Sequence, residues 1–256
     1  MNFLKSIAII PARFDSTRFP GKPLAIIAEK PMIQHVYERA CRAGRVDQVI
    51  VASDDQRILD TVQSFGGSAR LTASSHRSGT DRVAEVAAQC DAEIIVNVQG
   101  DEPLIAPQSL DAVIEPFYSD PELMISTLSS SGSSPEELQN PNVVKVVVDK
   151  DGFALYFSRS PIPSFHSASR LGQVQTFYKH IGLYGYRKKF LEQLPTLKES
   201  FLERAEGLEQ LRFLENGYRI KVVNTAYESL AVDTPQDLER INHLIKERSW
   251  QPNLSL

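Results

Sequence analysis

Between Arg13 and Lys22, the stretch IIPARFDSTRFPGKPL gathers Arg13, Ser16, Thr17, Arg18, Gly21 and Lys22 directly behind an apolar run. Guanidinium and ammonium groups pair with phosphate oxygens, and a glycine-containing backbone can turn its N–H groups toward the same anion. The combination suits a triphosphate, although a solvated basic turn would have the same composition. It is no Walker A loop, which needs Ser or Thr after Gly-Lys where this chain has Pro23. A GxGxxG stretch is absent as well. A second apolar run, IIVNVQGDEP, ends in Asp101 and Glu102 beside a glycine and a proline. Asp101 is a reasonable oxygen ligand for magnesium, which takes one or two carboxylates together with phosphates and water; an ordinary acidic turn fits the same residues. Asp233, just before another helix, is a possible partner for Asp101.

Ser78-Gly79-Thr80-Asp81-Arg82 precedes a helical stretch and can either close over a nucleotide or simply cap that helix through Ser78 or Thr80. Arg159, His180, Tyr184, Glu209 and Gln210 border apolar segments, and their spacing alone identifies no ligand.

The elements that must position these residues are legible in the first half. Short β-branched runs at 6–10, 48–52 and 93–98 alternate with helical periodicity beginning at Pro31 and covering about 56–65 and 81–89. This is the pattern of parallel strands joined by crossover helices, in which ligands bind beyond the carboxyl ends of strands. From Leu123 the texture changes to β-rich runs at 143–148, 153–157 and 177–186, with a turn at 149–152. These runs read as an antiparallel excursion from the sheet. The Ser- and Pro-containing stretch 158–175 is the expected lid. Thr234-Pro235-Gln236-Asp237 carries the cap, first-turn proline and acidic residue of a helix start.

The composition narrows the partners. The 256 residues are 42% hydrophobic and 23% charged, and 28 Lys and Arg against 32 Asp and Glu leave a formal charge of -4. Such a chain is globular, has no overall positive field for a nucleic-acid backbone, and must bind phosphate locally. No run approaches the roughly 20 apolar residues of a membrane span. Two cysteines without metal-ligand spacing and the lack of a secretory signal point to a cytoplasmic protein.

Taken in order, PARFDSTRFPGKPL, HRSGTDR, NVQGDEPLI, NPNVVKVV, ALYFSRSPIP, HIGLYGYR, LEQLR and VDTPQDLER resemble the 3-deoxy-manno-octulosonate (Kdo) cytidylyltransferase family over nearly the whole chain. The resemblance implies an α/β, Rossmann-like nucleotidyltransferase fold with a mixed sheet. It also implies a single domain over 1–256, with a β-rich sugar-binding and dimerisation insertion at about 123–190, and a homodimer. The implied reaction is CTP plus Kdo giving CMP-Kdo and pyrophosphate, for lipopolysaccharide synthesis. By the same resemblance Arg13, Ser16, Arg18 and Lys22 hold the triphosphate, and Ser78, Gly79, Thr80 and Arg82 enclose the nucleotide. Asp101 and Asp233 bind Mg2+, and Gln99, Arg159, His180, Tyr184, Glu209 and Gln210 line the sugar site. Arg18, Lys22, Asp101 and Asp233 are the implied catalytic set. Ala231-Val232 and Ser164 depart from the family pattern, and the second leaves an amino-substituted Kdo open as acceptor; the alternatives to the reading are a cytidylyltransferase for sialic acid or another 2-keto acid sugar, and a binding protein without turnover.

Overall fold

The structure is a computed structural model that describes residues 4–15, 19–164, 176–228 and 230–246. Three parallel strands form its centre: β1 (Ser6–Ala12), with β4 (Gln48–Ser53) on one side and β6 (Ile94–Asn97) on the other. Because side chains alternate across a strand, their apolar residues divide between two cores. Ile7, Ile9, Ile50, Ala52 and Ile95 face one cluster, and Ala8, Ile10, Val49, Val51, Ile94 and Val96 face the other. Burial on both faces is the reason these strands read as unbroken apolar runs. Helix α3 (Gly79–Ala88) covers the first face through Val83, Val86 and Ala87. The second face is covered by α1 (Met32–Ala40), α2 (Gln56–Ser64) and α4 (Pro107–Ile114).

Two short strands, β2 (Ile26–Ile27) and β3 (Lys30–Pro31), make a separate hairpin ahead of α1. The remaining strands are β5 (Ala69–Leu71), β7 (Ile125–Gly132), β8 (Lys145–Val148), β9 (Ala154–Ser158), β10 (Phe177–Arg187) and β11 (Ile220–Asn224). The main sheet runs β11-β7-β10-β6-β1-β4-β5, with β8 and β9 branching from β10. β10 is antiparallel to both β6 and β7, whereas β11 is parallel to β7, so the sheet is mixed.

The first-half elements fall where the sequence places them, with shifts of a residue or two at their ends. Pro31 precedes α1 rather than opening it, because it pairs with Ile26 in the hairpin. The later strands are more embedded than an excursion: β7 and β10 belong to the main sheet, and β8 and β9 alone form the side branch. The turn at 149–152 closes with Gly152 N donating to Asp149 O at 3.0 Å. Of the expected lid, residues 165–175 lie outside the described residues. β11 ends at Asn224, so Asp233 sits in the connection before the Pro235–Lys246 helix, not at a strand end.

Candidate active site

The loops that leave β1 and β6 touch. Val98 N donates to Ile9 O at 3.0 Å, and a Cβ on Gly100 would stand 2.9 Å from Pro11 O. Gly100 therefore lets the Asp101 turn lie against the Arg13 turn, a contact that any side chain would force apart. A second glycine shapes the first loop: Gly21, at φ 73, donates its N–H to Phe14 O at 2.8 Å and opens the single 3-10 turn Lys22–Leu24.

This folding brings three charged residues together from far apart in the chain. Lys22 Nζ donates to Asp101 Oδ2 at 2.7 Å and to Asp233 Oδ1 at 3.4 Å. Val232 N donates to Asp101 O at 2.9 Å, which fixes the backbone of one carboxylate against that of the other. Asp233 is also held from the helix side, where Asp237 accepts from the backbone N–H of Asp233 and of Thr234 at 3.1 and 2.9 Å. Asp237 in turn has its carboxyl below the usual range despite burial, because the Thr234 hydroxyl, donating at 2.8 Å, and then these backbone donors favour the charged form.

The donor set has the right chemistry for magnesium: two carboxylates converge on one cationic atom. Among the described residues no group of three or more His, Cys, Asp or Glu side chains could hold a metal ion alone. Such a pair suits an ion that completes its shell with phosphate oxygens and water. Close by in sequence, Arg13 has a buried Nη2 without a hydrogen-bond partner among the described residues. An unpaired buried guanidinium nitrogen is a place for an anion. Arg13 borders an opening of about 330 Å³ shared with Phe14, Asp54, Ser74, His76 and Arg82. Ser16 and Arg18, both expected on the triphosphate, lie outside the described residues.

The 78–82 block stands between that opening and a larger one of about 870 Å³, bordered by Arg77, Ser78, Asp81, Glu209 and Arg212. Its residues divide their work. Ser78 caps α3 in a reciprocal capping box with Asp81. Gly79 packs on Pro11, and Arg82 is fully buried, paired to Asp54 at 3.0 Å and bonded to Thr72. Arg82 thus ties α3 to the ends of β4 and β5. Thr80 donates to Glu209 Oε2, which joins the block to the far side of the site.

Around Glu209 lies a group of buried polar atoms with unused hydrogen-bonding capacity. Asn97 Oδ1, Tyr184 Oη and Glu209 Oε1 are all buried without partners among the described residues. Tyr184 faces Asn97 across the β10-β6 pair and also registers with Thr127 of β7. Its ring lies 5.5 Å from that of His180. Between His180 and Tyr184 the β10 register shifts, and Gln99 Nε2 donates to Gly182 O of this bulge at 3.1 Å. Thr127 Oγ1 faces Ile181 O, Leu183 O and His180 Nε2 at 3.1, 2.9 and 3.0 Å. A hydroxyl has one proton, which goes to the carbonyls; His180 Nε2–H must then donate, leaving Nδ1 as an acceptor. The imidazole is packed edge-on against Phe157. Desolvation lowers its pKa to about 3, so it is neutral at neutral pH. Burial likewise raises the carboxyl of Glu209 and the phenol of Tyr184.

Of the six residues expected on a sugar, His180, Tyr184 and Glu209 gather here, and Gln99 supports the bulge between the first two. Gln210, buried, follows Glu209 at the start of the helix Gln210–Glu215. Arg159 is placed differently: its guanidinium donates to Glu206 O, Pro141 O and Gly207 O at 2.9, 3.0 and 3.4 Å. Those bonds tie the end of β9 to the helix Phe201–Glu206 and to the turn after it. Asn97 was not among the expected residues. Its signal is a single amide within the apolar run IIVNV.

A family model described as cytidylyltransferase matches residues 7–221. The chain is 53% identical over 252 residues to the 3-deoxy-manno-octulosonate cytidylyltransferase of Geotalea daltonii, covering 96% of this chain and 100% of that one. It is 56% identical over 238 residues to the protein of the same name from Pelobacter propionicus, covering 90% and 93%. Among solved structures, CMP:2-keto-3-deoxy-manno-octonic acid synthetase complexed with CTP superposes with a TM-score of 0.91 at 44% identity, covering 95% of this chain and 99% of that one.

Proposed function

Since this chain belongs to the cytidylyltransferase family, we propose that it transfers the CMP group of CTP to Kdo, giving CMP-Kdo and pyrophosphate. The observation that carries the reading is the convergence of Lys22, Asp101 and Asp233 from three separate loops, with Arg13 in the turn after β1. The names and coverage of the relatives supply the acceptor, an eight-carbon keto acid sugar.

In this reading the anomeric hydroxyl of Kdo attacks the α-phosphorus of CTP; the new O–P bond forms as the bond to the β-phosphate oxygen breaks, and the hydroxyl proton is released. Arg13 and Lys22, with Arg18, bind the triphosphate and offset charge that builds on the leaving pyrophosphate. Asp101 and Asp233 would hold magnesium, which when bound lowers the pKa of the attacking hydroxyl and neutralises phosphate charge. Tyr184, Glu209 and Asn97 offer sugar hydroxyls the partners these atoms lack, and neutral His180 accepts through Nδ1. Thr80 holds Glu209 in place from the nucleotide side.

Magnesium dependence, cytoplasmic location, a place in lipopolysaccharide synthesis and a homodimer belong to the same proposal. The dimer is supported by Leu155, 62% exposed on β9, a strand that pairs only with β8 among the described strands. Among the described residues, no helix is long and apolar enough to cross a membrane. The test is pyrophosphate release from CTP and magnesium with Kdo, 8-amino-Kdo, sialic acid or no sugar. Release with Kdo in strong preference is expected; release with sialic acid alone, or equally without sugar, refutes the proposal.

A further inference from the structure

The hairpin that follows Lys22 contains a conformational cost placed beside the charged end of the site. Ile27 pairs with Lys30, so the turn has two residues, Ala28 and Glu29, at φ 43 and 69. Such a turn needs left-handed backbone at both positions, and Asn-Gly is the sequence that adopts it readily. Ala and Glu do not, and side chains held there persist only where their surroundings impose the conformation.

The surroundings come from the Pro235–Lys246 helix. Asn242 Oδ1 accepts from Ala28 N at 2.9 Å, and its Nδ2 donates to Ile26 O at 3.4 Å. His35 Nε2 donates to Ile27 O at 2.7 Å from α1. Beneath the turn, Ile27, Met32, Leu104, Val232 and Ile241 form a small core separate from the two that flank the sheet. Two of these residues, Leu104 and Val232, lie close in sequence to the charged site, and the other three belong to the hairpin, α1 and the Pro235–Lys246 helix. Ile27 and Met32 follow Lys22, Leu104 follows Asp101, Val232 precedes Asp233, and Ile241 neighbours Asn242.

We propose that Asn242 is a positioning residue for the nucleotide end of the site: its grip on the Ala28–Glu29 turn sets the Lys22 segment relative to Asp233, because one helix holds both. The proposal rests on the reading of Lys22 as a triphosphate ligand.

The measurement is calorimetric CTP binding in the presence of magnesium and without sugar, alongside KM for CTP and for Kdo. Asn242→Leu is expected to weaken CTP binding roughly tenfold, raise KM for CTP in parallel, and leave KM for Kdo unchanged. Introducing Ala28→Asn and Glu29→Gly into that variant should return CTP binding to within about twofold of the original, because the turn then no longer needs its clamp. Asn242→Leu with unchanged CTP affinity overturns the proposal. So does a folded triple variant that regains its melting temperature but not its affinity, since that marks a merely structural role. If Asn242→Leu alone does not fold, the triple variant decides by the same criterion. Lys22→Met separates this idea from the site reading: CTP affinity unchanged in Lys22→Met removes the role of Lys22 itself, whereas loss there with no effect at Asn242 removes only the positioning role.

Discussion

The two ends of the site treat polar groups in opposite ways. At the nucleotide end, the ammonium of Lys22 answers the carboxylates of Asp101 and Asp233, and all three remain partly accessible. At the sugar end, Asn97 Oδ1, Tyr184 Oη and Glu209 Oε1 are buried and unanswered among the described residues, and burial raises the phenol of Tyr184 and the carboxyl of Glu209. Charge matched by countercharge suits a ligand that brings both phosphates and a metal ion. Dehydrated donors and acceptors suit hydroxyls, because a ligand lacking the matching hydroxyl leaves those groups buried and unpaired.

The largest effect that would sharpen this contrast is at the charged end. Asp101→Asn or Asp233→Asn is expected to lower turnover about 10²–10³-fold at saturating magnesium, with the fold retained and KM for Kdo little changed. Steady-state kinetics with circular dichroism checks it; a large rise in KM for Kdo with near-normal turnover would erase the distinction between the ends.

At the sugar end the expected effects are smaller and of another kind. Tyr184→Phe removes a hydroxyl with no hydrogen bond within 3.5 Å among the described residues, so stability without ligand should stay level or rise by up to about 1 kcal/mol, while KM for Kdo rises roughly 5–10-fold. Thermal melts and sugar titrations read both. A loss of stability together with an unchanged KM would mean that the hydroxyl serves packing. Glu209→Gln should also raise KM for Kdo, with CTP binding unaltered.

The last effect concerns proton balance, is confined to acid pH and is smallest near neutrality. His180 has an ordinary value of 6.5 and is held at about 3 in the folded chain, so between those values the unfolded state binds more protons. Stability contributed by this group therefore falls as pH drops from about 6.5 toward 3, by up to about 1.4 kcal/mol per pH unit. Denaturant melts of His180→Gln should show a shallower fall than the parent chain over that window; an identical slope would mean that the imidazole titrates normally.

How much of this was legible in the sequence depended on how each residue is buried. Strands β1, β4 and β6 declare themselves because both faces are apolar, and the loops after β1 and β6 carry the charged residues that announce a phosphate site. The opposite holds for β7, ISTLSSSG, which lies outside the β-rich runs expected from the sequence yet is almost wholly buried. Its hydroxyls find partners only in the folded chain: Ser126 donates to Val113 O, and Thr127 to the β10 bulge. The convergence of Lys22 and Asp233, separated by most of the chain, likewise has no local signal. Sequence grouped Arg82 with the nucleotide residues through its neighbours in the block, while the fold turns it inward to Asp54. Arg159, expected on the sugar, donates to three backbone carbonyls for the same reason: residue type shows what a side chain can bond, and packing selects the partner.

If both ends act on one reaction, phosphorus NMR of the chain incubated with CTP, Kdo and magnesium will show it. A new phosphodiester resonance should grow in step with pyrophosphate, and neither signal should appear when Kdo is omitted. Pyrophosphate appearing with free CMP, or CTP persisting unchanged beside Kdo, would contradict it.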